Sequence, residues 1–292
     1  MDVLALLLQR GTLDARAEVR LTLLQGGYWN TVYRLQGDGL DWVVKVFAAQ
    51  DGWRLFPILP DDEARALLLL KGYDVAPEYV EYHSRVGDLP AVLVYEWVEG
   101  TMWTTGTADV ARLFRRQHAV LVEGFREVPT GSIGIVEQGE RLLQAADSHE
   151  AATLRKVCPT ARVQPAPRRA LIHTDAGTGN FIVGPQGVRL IDWQCPALGD
   201  AAEDLFTFLS PAFQVLYGHE PLTMLERAEF LDAYDEPTVL ARLAALAPAL
   251  TFRMGAYCAM RRLELAESDP PSAARYARAL ELSIAELSEG FR

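Results

Sequence analysis

Cysteine is scarce in this chain of 292 residues. There are three, Cys158, Cys195 and Cys258, an odd number at wide spacings. Structural zinc sites and dithiol redox sites need cysteines paired a few residues apart, so neither is written in the sequence, and a reducing, cytoplasmic setting is expected. Long apolar runs are missing as well. None approaches the ~20 residues that span a bilayer. Residues 1–8 lack a basic n-region and meet Arg10 too early for a secretory signal, so a helix start and no membrane partner are expected. Positive charge is in deficit: 28 Lys and Arg against 39 Asp and Glu leave a net charge of −11, which argues against nucleic acid as a partner. Internal repeats, low-complexity tracts and coiled-coil heptads are absent. What is present is the composition of a globular protein with a large core: half the residues are apolar and 23% are charged.

Patterning divides the chain. Residues 19–24, 32–35 and 42–47 read as a three-strand meander, with Gly26-Gly27 in its first bend and Gly37-Asp38-Gly39 in its second. Pro60-Asp61-Asp62-Glu63 starts a helix that runs to Lys71 and stops at Gly72. Strands follow at 77–83 and 91–97, and Val98-Glu99-Gly100 breaks the pattern. Beyond it Val110, Leu113, Phe114, Val120 and Leu121 recur at helical spacing, which predicts a helix over 107–125. Further helices are predicted near 140–157 and at 200–209, 222–234, 238–246, 252–266 and 272–288, with a loop at Pro165-Ala166-Pro167. The expected class is α+β: residues 1–97 form a small lobe with an antiparallel sheet plus a helix, and residues 98–292 a larger, mainly helical lobe.

The densest chemistry lies between Leu171 and Trp193. Phe181-Ile182-Val183 reads as a strand, Gly184-Pro185-Gln186-Gly187 as a turn, and 188–191 as a return strand. Asn180 stands just before this hairpin and Asp192 just after it, so the two are expected side by side, with Asp175 a short loop away. Two carboxylates and an amide oxygen at one spot suit a hard divalent cation and a reacting group. His173, behind Leu171-Ile172, reads as a buried residue that shapes the loop rather than as a base.

Elsewhere the signals are individually ambiguous. Gly26-Gly27 is either a plain hairpin turn or a flap whose backbone N–H groups reach phosphates. Lys45 shares a strand face with Val43 and Phe47, so its ammonium points where apolar groups belong. Glu63 is a surface helix charge or, if its helix packs behind the sheet, the partner of Lys45; Asp62 and Glu78 are rivals.

In order along the chain, a Gly-rich bend, a strand Lys, a helix Glu, an apolar strand with a linker, His-x-Asp-x-x-x-x-Asn and a hairpin to Asp-Trp resemble the protein-kinase-like superfamily. The likeness is to its small-molecule branch, the aminoglycoside phosphotransferases and choline kinases. Ile191-Asp192-Trp193 is similar to that branch's magnesium motif, Tyr95-Glu96-Trp97-Val98-Glu99-Gly100 to its linker, and Gly199-Asp200-Ala201-Ala202-Glu203-Asp204-Leu205 to the helix start after the metal motif. The likeness runs from about residue 20 to about residue 235. Thr174 departs from it, standing where this branch commonly has Gly, and Ala176 is smaller than the usual residue.

The resemblance implies a bilobal kinase fold, an ATP substrate (with GTP as an alternative) and Mg2+. It implies that Asp192 and Asn180 bind the metal and that Asp175 orients the acceptor hydroxyl. Lys45, held by Glu63, would neutralise the α- and β-phosphates. Gly26, Gly27 and Asn30 belong to the turn over the phosphates, and the backbone of Glu96 to Val98 to the adenine edge. The acceptor is expected to be a small hydroxyl-bearing molecule, cationic or aminoglycoside-like, bound by a monomer or homodimer. Trp103, Trp193 and Tyr217 are candidates for an aromatic box around a quaternary ammonium. Glu203, Asp204 and Asp235 are candidates for attracting an amine, although Asp200 and Asp204 serve equally as helix cap or loop brace. The alternative function is a nucleotide-binding pseudokinase; it would be expected to lose Lys45, Asp175 or Asp192, and all three are present.

Overall fold

The structure, a computed structural model, describes residues 2–24, 30–49, 53–146 and 148–289. Contacts divide the chain into two units: Met1–Thr101 with Ile182–Pro196, and Met102–Phe181 with Ala197–Arg292. The division expected from sequence, 1–97 and 98–292, puts residues 182–196 in the second part, whereas their contacts lie in the first. Backbone bonds from Leu190 N to Val75 O and from Leu59 N to Gln194 O, both 2.8 Å, fasten them there.

In the first unit, β1 (Arg20–Leu23), β2 (Thr31–Gly37), β3 (Leu40–Val46), β4 (Tyr79–His83) and β5 (Val92–Glu96) form one antiparallel sheet of order β1-β2-β3-β5-β4. Alternation along β3 turns Val44 and Val46 to one face and Val43 and Lys45 to the other. On the first face α1 (Val3–Arg10) buries Val3, Leu6 and Leu7 against Leu35, Val44, Val46, Val92 and Val94. Its start is fixed by the Asp2 carboxylate, which accepts from Leu4 N and Ala5 N at 3.0 and 3.2 Å. On the other face α2 (Pro60–Leu70) buries Glu63, Ala64, Ala66, Leu67 and Leu70, with Pro60 in the first turn, where its missing N–H is harmless.

The chain leaves this unit through β6 (Thr101–Met102). In the second unit α3 (Thr107–Ala119) is shorter than expected. Val120, though buried, is already extended and Leu121 is exposed, so the apolar pair that suggested a longer helix lies beyond its end. One helix was expected near 140–157; there are two, α4 (Ser132–Leu143) and α5 (His149–Lys156), the second started by the Ser148 hydroxyl accepting from Ala151 N. Then comes β7 (Ala170–Ile172); the hairpin β8 (Phe181–Gly184) and β9 (Gly187–Leu190), formed as expected, belongs from Ile182 onward to the first unit. β10 (Ala197–Gly199) pairs back onto β7, Ile172 opposite Ala197.

The rest of the second unit is helical: α6 (Ala201–Leu209), α7 (Pro211–Leu216), α8 (Met224–Tyr234), α9 (Pro237–Leu265) and α10 (Pro270–Glu289). The helices expected at 238–246 and 252–266 are the single α9, which continues through Pro248. By length and composition α9 passes for a membrane span, yet 61% of its most apolar stretch is buried, where it packs against α4, α6 and α10. Phe114, Phe181, Phe208 and Phe230 form an aromatic core, their neighbouring rings 5.1–6.4 Å apart.

Candidate active site

Each unit carries one set of polar residues. In the first, Lys45 is 2% exposed and Glu63 is 1% exposed, burial that neither charge tolerates alone. Register places Lys45 between Val32 of β2 and Leu93 of β5, and Glu63 meets it from α2. The Lys45 Nζ donates to both Glu63 carboxylate oxygens, at 2.8 and 2.7 Å, and also to Oδ1 of Asp192. Glu63 is therefore a partner of Lys45, while Glu78, one of the rivals, accepts from Gly72 N.

Burial alone would lower the Lys45 pKa, but the charges of Asp192 and Glu63 hold it above its ordinary value. Burial pushes the Glu63 carboxyl up to about 7; Lys45 opposes the rise and the neighbouring Asp192 charge adds to it. Two carboxylates on one ammonium leave an excess of negative charge that a cation at Asp192 would balance. Asp192 is itself at φ +62, its side chain 39% exposed.

Asn30, 8% exposed, donates from Nδ2 to Gln194 Oε1 at 3.1 Å and accepts from Ala48 N at 3.2 Å. Gly26 and Gly27 lie outside the described residues. Glu96 ends β5, where its N–H donates to Glu78 O at 2.9 Å and its carboxylate accepts from Trp42 Nε1; Val98 follows in the linker. At Gly100 the backbone has φ +149, and a Cβ would stand 2.3 Å from Val183 O, so only glycine lets the linker lie this close to β8.

In the second unit, Asp175 follows β7 on a loop closed by a 3-10 turn, Thr178–Asn180. Asn180 Nδ2 donates to Asp175 O at 2.8 Å, which leaves Asn180 Oδ1 as its acceptor face. The loop hangs on a buried carboxylate. Asp204, 0% exposed, accepts from His173 N at 2.8 Å and Thr174 N at 3.0 Å. It also accepts from Gln117 Nε2 at 2.8 Å and is bonded to His118 Nε2 at 3.3 Å. Burial raises the Asp204 pKa, but the His118 bond and charge, with the His173 contributions, outweigh it and hold it below its ordinary value.

Several sequence candidates find other work. Asp204 is the loop brace, and His173 shapes the loop through its backbone, as expected. Asp200 caps α6 and pairs with Arg242 at 2.5 Å. Glu203 is buried against Arg253 at 2.7 Å, and Asp235 is the left-handed C-cap of α8, so this acidic set is structural. Trp103 and Trp193 are core, at 2% and 0% exposure, which removes them from any aromatic box. Tyr217 remains by the loop. Its ring lies where a Cβ on Gly177 or Gly179 would come within 2.0 or 2.3 Å, and its hydroxyl donates to Asp175 Oδ1 at 3.5 Å. Sequence reasoning missed Gln194 and the Gln117-His118 pair. The signal for the pair was two polar residues three and four positions after the buried Phe114.

In the first unit Asp192 offers a carboxylate oxygen, and in the second Asn180 offers an amide oxygen, the kind of ligand that hard divalent cations take. Among the described residues there is no cluster of three or more His, Cys, Asp or Glu that could hold a metal.

No curated protein sequence matches the chain. The fold is shared with solved structures at low identity. A spectinomycin phosphotransferase in complex with ADP and spectinomycin is 15% identical over 91% of this chain and 92% of that one, with a TM-score of 0.61. A choline/ethanolamine kinase family protein from Mesorhizobium loti is 18% identical over 94% and 95%, TM-score 0.61. Amicoumacin kinase in complex with AMP-PNP, Ca2+ and Ami is 15% identical over 98% and 93%, TM-score 0.61. The fold is thus that of small-molecule kinases, and residues 20–246 match the sequence profile of one family: the chain belongs to the phosphotransferase enzyme family.

Proposed function

We propose that this phosphotransferase moves the γ-phosphoryl group of ATP to a hydroxyl of a small molecule. The observation that carries the reading is the buried Lys45 ammonium held at once by Glu63 and Asp192. An ammonium so fixed is a preorganised partner for phosphate oxygens, and preorganised charge is the main source of catalysis in phosphoryl transfer.

Asp192 and Asn180 would hold Mg2+, which when bound spreads the charge of the β- and γ-phosphates. Asp175 would accept a hydrogen bond from the acceptor hydroxyl and aim its oxygen at the γ-phosphorus. As the new O–P bond forms, the bond from the γ-phosphorus to the bridging oxygen breaks. ADP leaves with that electron pair, and the hydroxyl proton passes late to Asp175. The Asp204 brace would keep Asp175 in place, as positioning demands. The backbone of Glu96 to Val98 would meet the adenine edge, with Gly26, Gly27 and Asn30 on the phosphate side.

The solved structures of similar fold include a spectinomycin phosphotransferase, a choline/ethanolamine kinase family protein and an amicoumacin kinase, which supports a small, amine-bearing acceptor with a free hydroxyl. ADP release from Mg-ATP across a panel of small alcohols, amino alcohols and aminoglycosides tests this. At least one acceptor is expected to raise turnover, and Asp175→Ala to lower it by about a hundredfold or more. A chain that binds Mg-ATP but turns over with none of them would be a regulatory nucleotide-binding protein instead.

A further inference from the structure

We propose that Gln194 is a positioning residue of the nucleotide-binding half of the site, acting through Asn30. The inference rests on the nucleotide-dependent function above and names a residue that the kinase motifs do not. Three segments of the first unit deliver its three charged groups: β3 brings Lys45, α2 brings Glu63, and the loop after β9 brings Asp192. Gln194 belongs to the last of these, bonds directly to the residue before α2, and reaches the end of β3 through Asn30. It lies two residues past Asp192. Its backbone carbonyl accepts from Leu59 N at 2.8 Å, at the foot of α2 and four residues before Glu63. Its side-chain Oε1 accepts from Asn30 Nδ2 at 3.1 Å. Asn30 in turn accepts from Ala48 N at 3.2 Å, three residues past Lys45.

Both amides are buried, Gln194 at 6% and Asn30 at 8% exposure. A tie of this kind fixes distance and direction together, because a buried amide that loses its partner has no water to turn to. An apolar pair of equal volume would fill the space without setting the register of the loop against the sheet. Asn30, whose Oδ1 and one N–H are committed to this tie, thus serves the nucleotide by holding backbone in place.

The test is a double-mutant cycle on the full chain with Gln194→Met, which keeps volume, and Asn30→Ala. Two readouts are needed: thermal unfolding without nucleotide, and calorimetric binding of Mg-ADP. Each single variant is expected to weaken Mg-ADP binding about tenfold. The double variant should be no worse than Asn30→Ala alone, because the bond that Gln194→Met removes is one of the two that Asn30→Ala removes. The KM for ATP should rise while that for the acceptor stays. If Gln194→Met does not fold, Asn30→Asp, which keeps the acceptor for Ala48 N and removes only the donor to Gln194, reads the same bond. Additive losses, or variants that bind Mg-ADP like the wild type, would overturn the role of Gln194 and leave the proposed function standing. A wild-type chain that does not bind Mg-ADP would overturn both.

Discussion

Two residues with side chains hold left-handed backbone beside the chemistry: Thr174 at φ +69 and Asp192 at φ +62. Asp side chains tolerate that region; a β-branched residue does so only under strain. This gives physical content to a sequence oddity, since Thr174 stands where the resembling branch commonly has Gly. Thr174→Gly is expected to leave folding stability unchanged or raised by up to ~1 kcal/mol, relief of strain offsetting the added freedom of the unfolded chain. Chemical denaturation measures it; a clear loss would mean that the bond from Arg126 to Thr174 Oγ1, at 3.4 Å, outweighs the strain. Tyr217 offers a second test. Tyr217→Phe keeps the ring on Gly177 and Gly179 and removes only the hydroxyl directed at Asp175. Turnover should fall by about threefold to tenfold with the melting temperature unchanged, whereas Tyr217→Ala should lower stability by ~2–3 kcal/mol through the void it leaves.

At the scale of elements, what the sequence showed was what period and punctuation can show. Alternation placed Lys45 on the face opposite Val44, and the Pro60-Asp61-Asp62-Glu63 start put Glu63 on a helix that could reach it. The β8–β9 hairpin was legible from its Gly-Pro turn between apolar flanks. Legibility failed where an element is short or tertiary contact overrides a local signal. β7 and β10 are three residues each, too short for a period, and exist because they pair with one another. The expected helices stopped at 246 and resumed at 252, yet α9 runs on through Pro248 because its flanks, Ala247, Ala249 and Leu250, are all buried and packing outweighs one lost backbone bond. Asp204 could be named only as one of two options, since its partners Gln117 and His118 lie 87 and 86 residues away. Gln194 carries no local signal at all. Before the matched family profile begins at residue 20, α1 closes one face of the sheet with Leu6 and Leu7, at 3% and 1% exposure. Leu7→Ala is therefore expected to cost ~2–4 kcal/mol of stability by denaturant titration, although it touches none of the proposed catalytic groups.

For the whole molecule, the Asp204 brace sets a response to acid. Its carboxyl loses its proton more readily in the folded chain than at its ordinary value of 3.8, so the unfolded chain binds the proton more tightly. The stabilisation is complete above that ordinary value and fades as pH falls through and below it. Asp204→Asn should lower stability at neutral pH by ~3 kcal/mol, because an amide cannot accept from every donor around it. It should also flatten the loss of stability on acidification below about pH 4. Parallel acid titrations of wild type and variant, followed by circular dichroism, would show both effects; equal slopes would assign the acid response to other groups.

The path of the chain bears on how the protein is made. It leaves the first unit at Thr101 and returns only for Ile182–Pro196, and the bond from Lys45 to Asp192 spans 147 residues. During translation the N-terminal sheet and α2 leave the ribosome well before Asp192, at ~5–20 residues per second. For many seconds the nascent chain holds Lys45 with Glu63 as a partner and without Asp192, and Val75 without the hairpin backbone that bonds to it. The first unit is therefore begun first and finished late: its last piece arrives after the loop bearing Asp175 has already been synthesised.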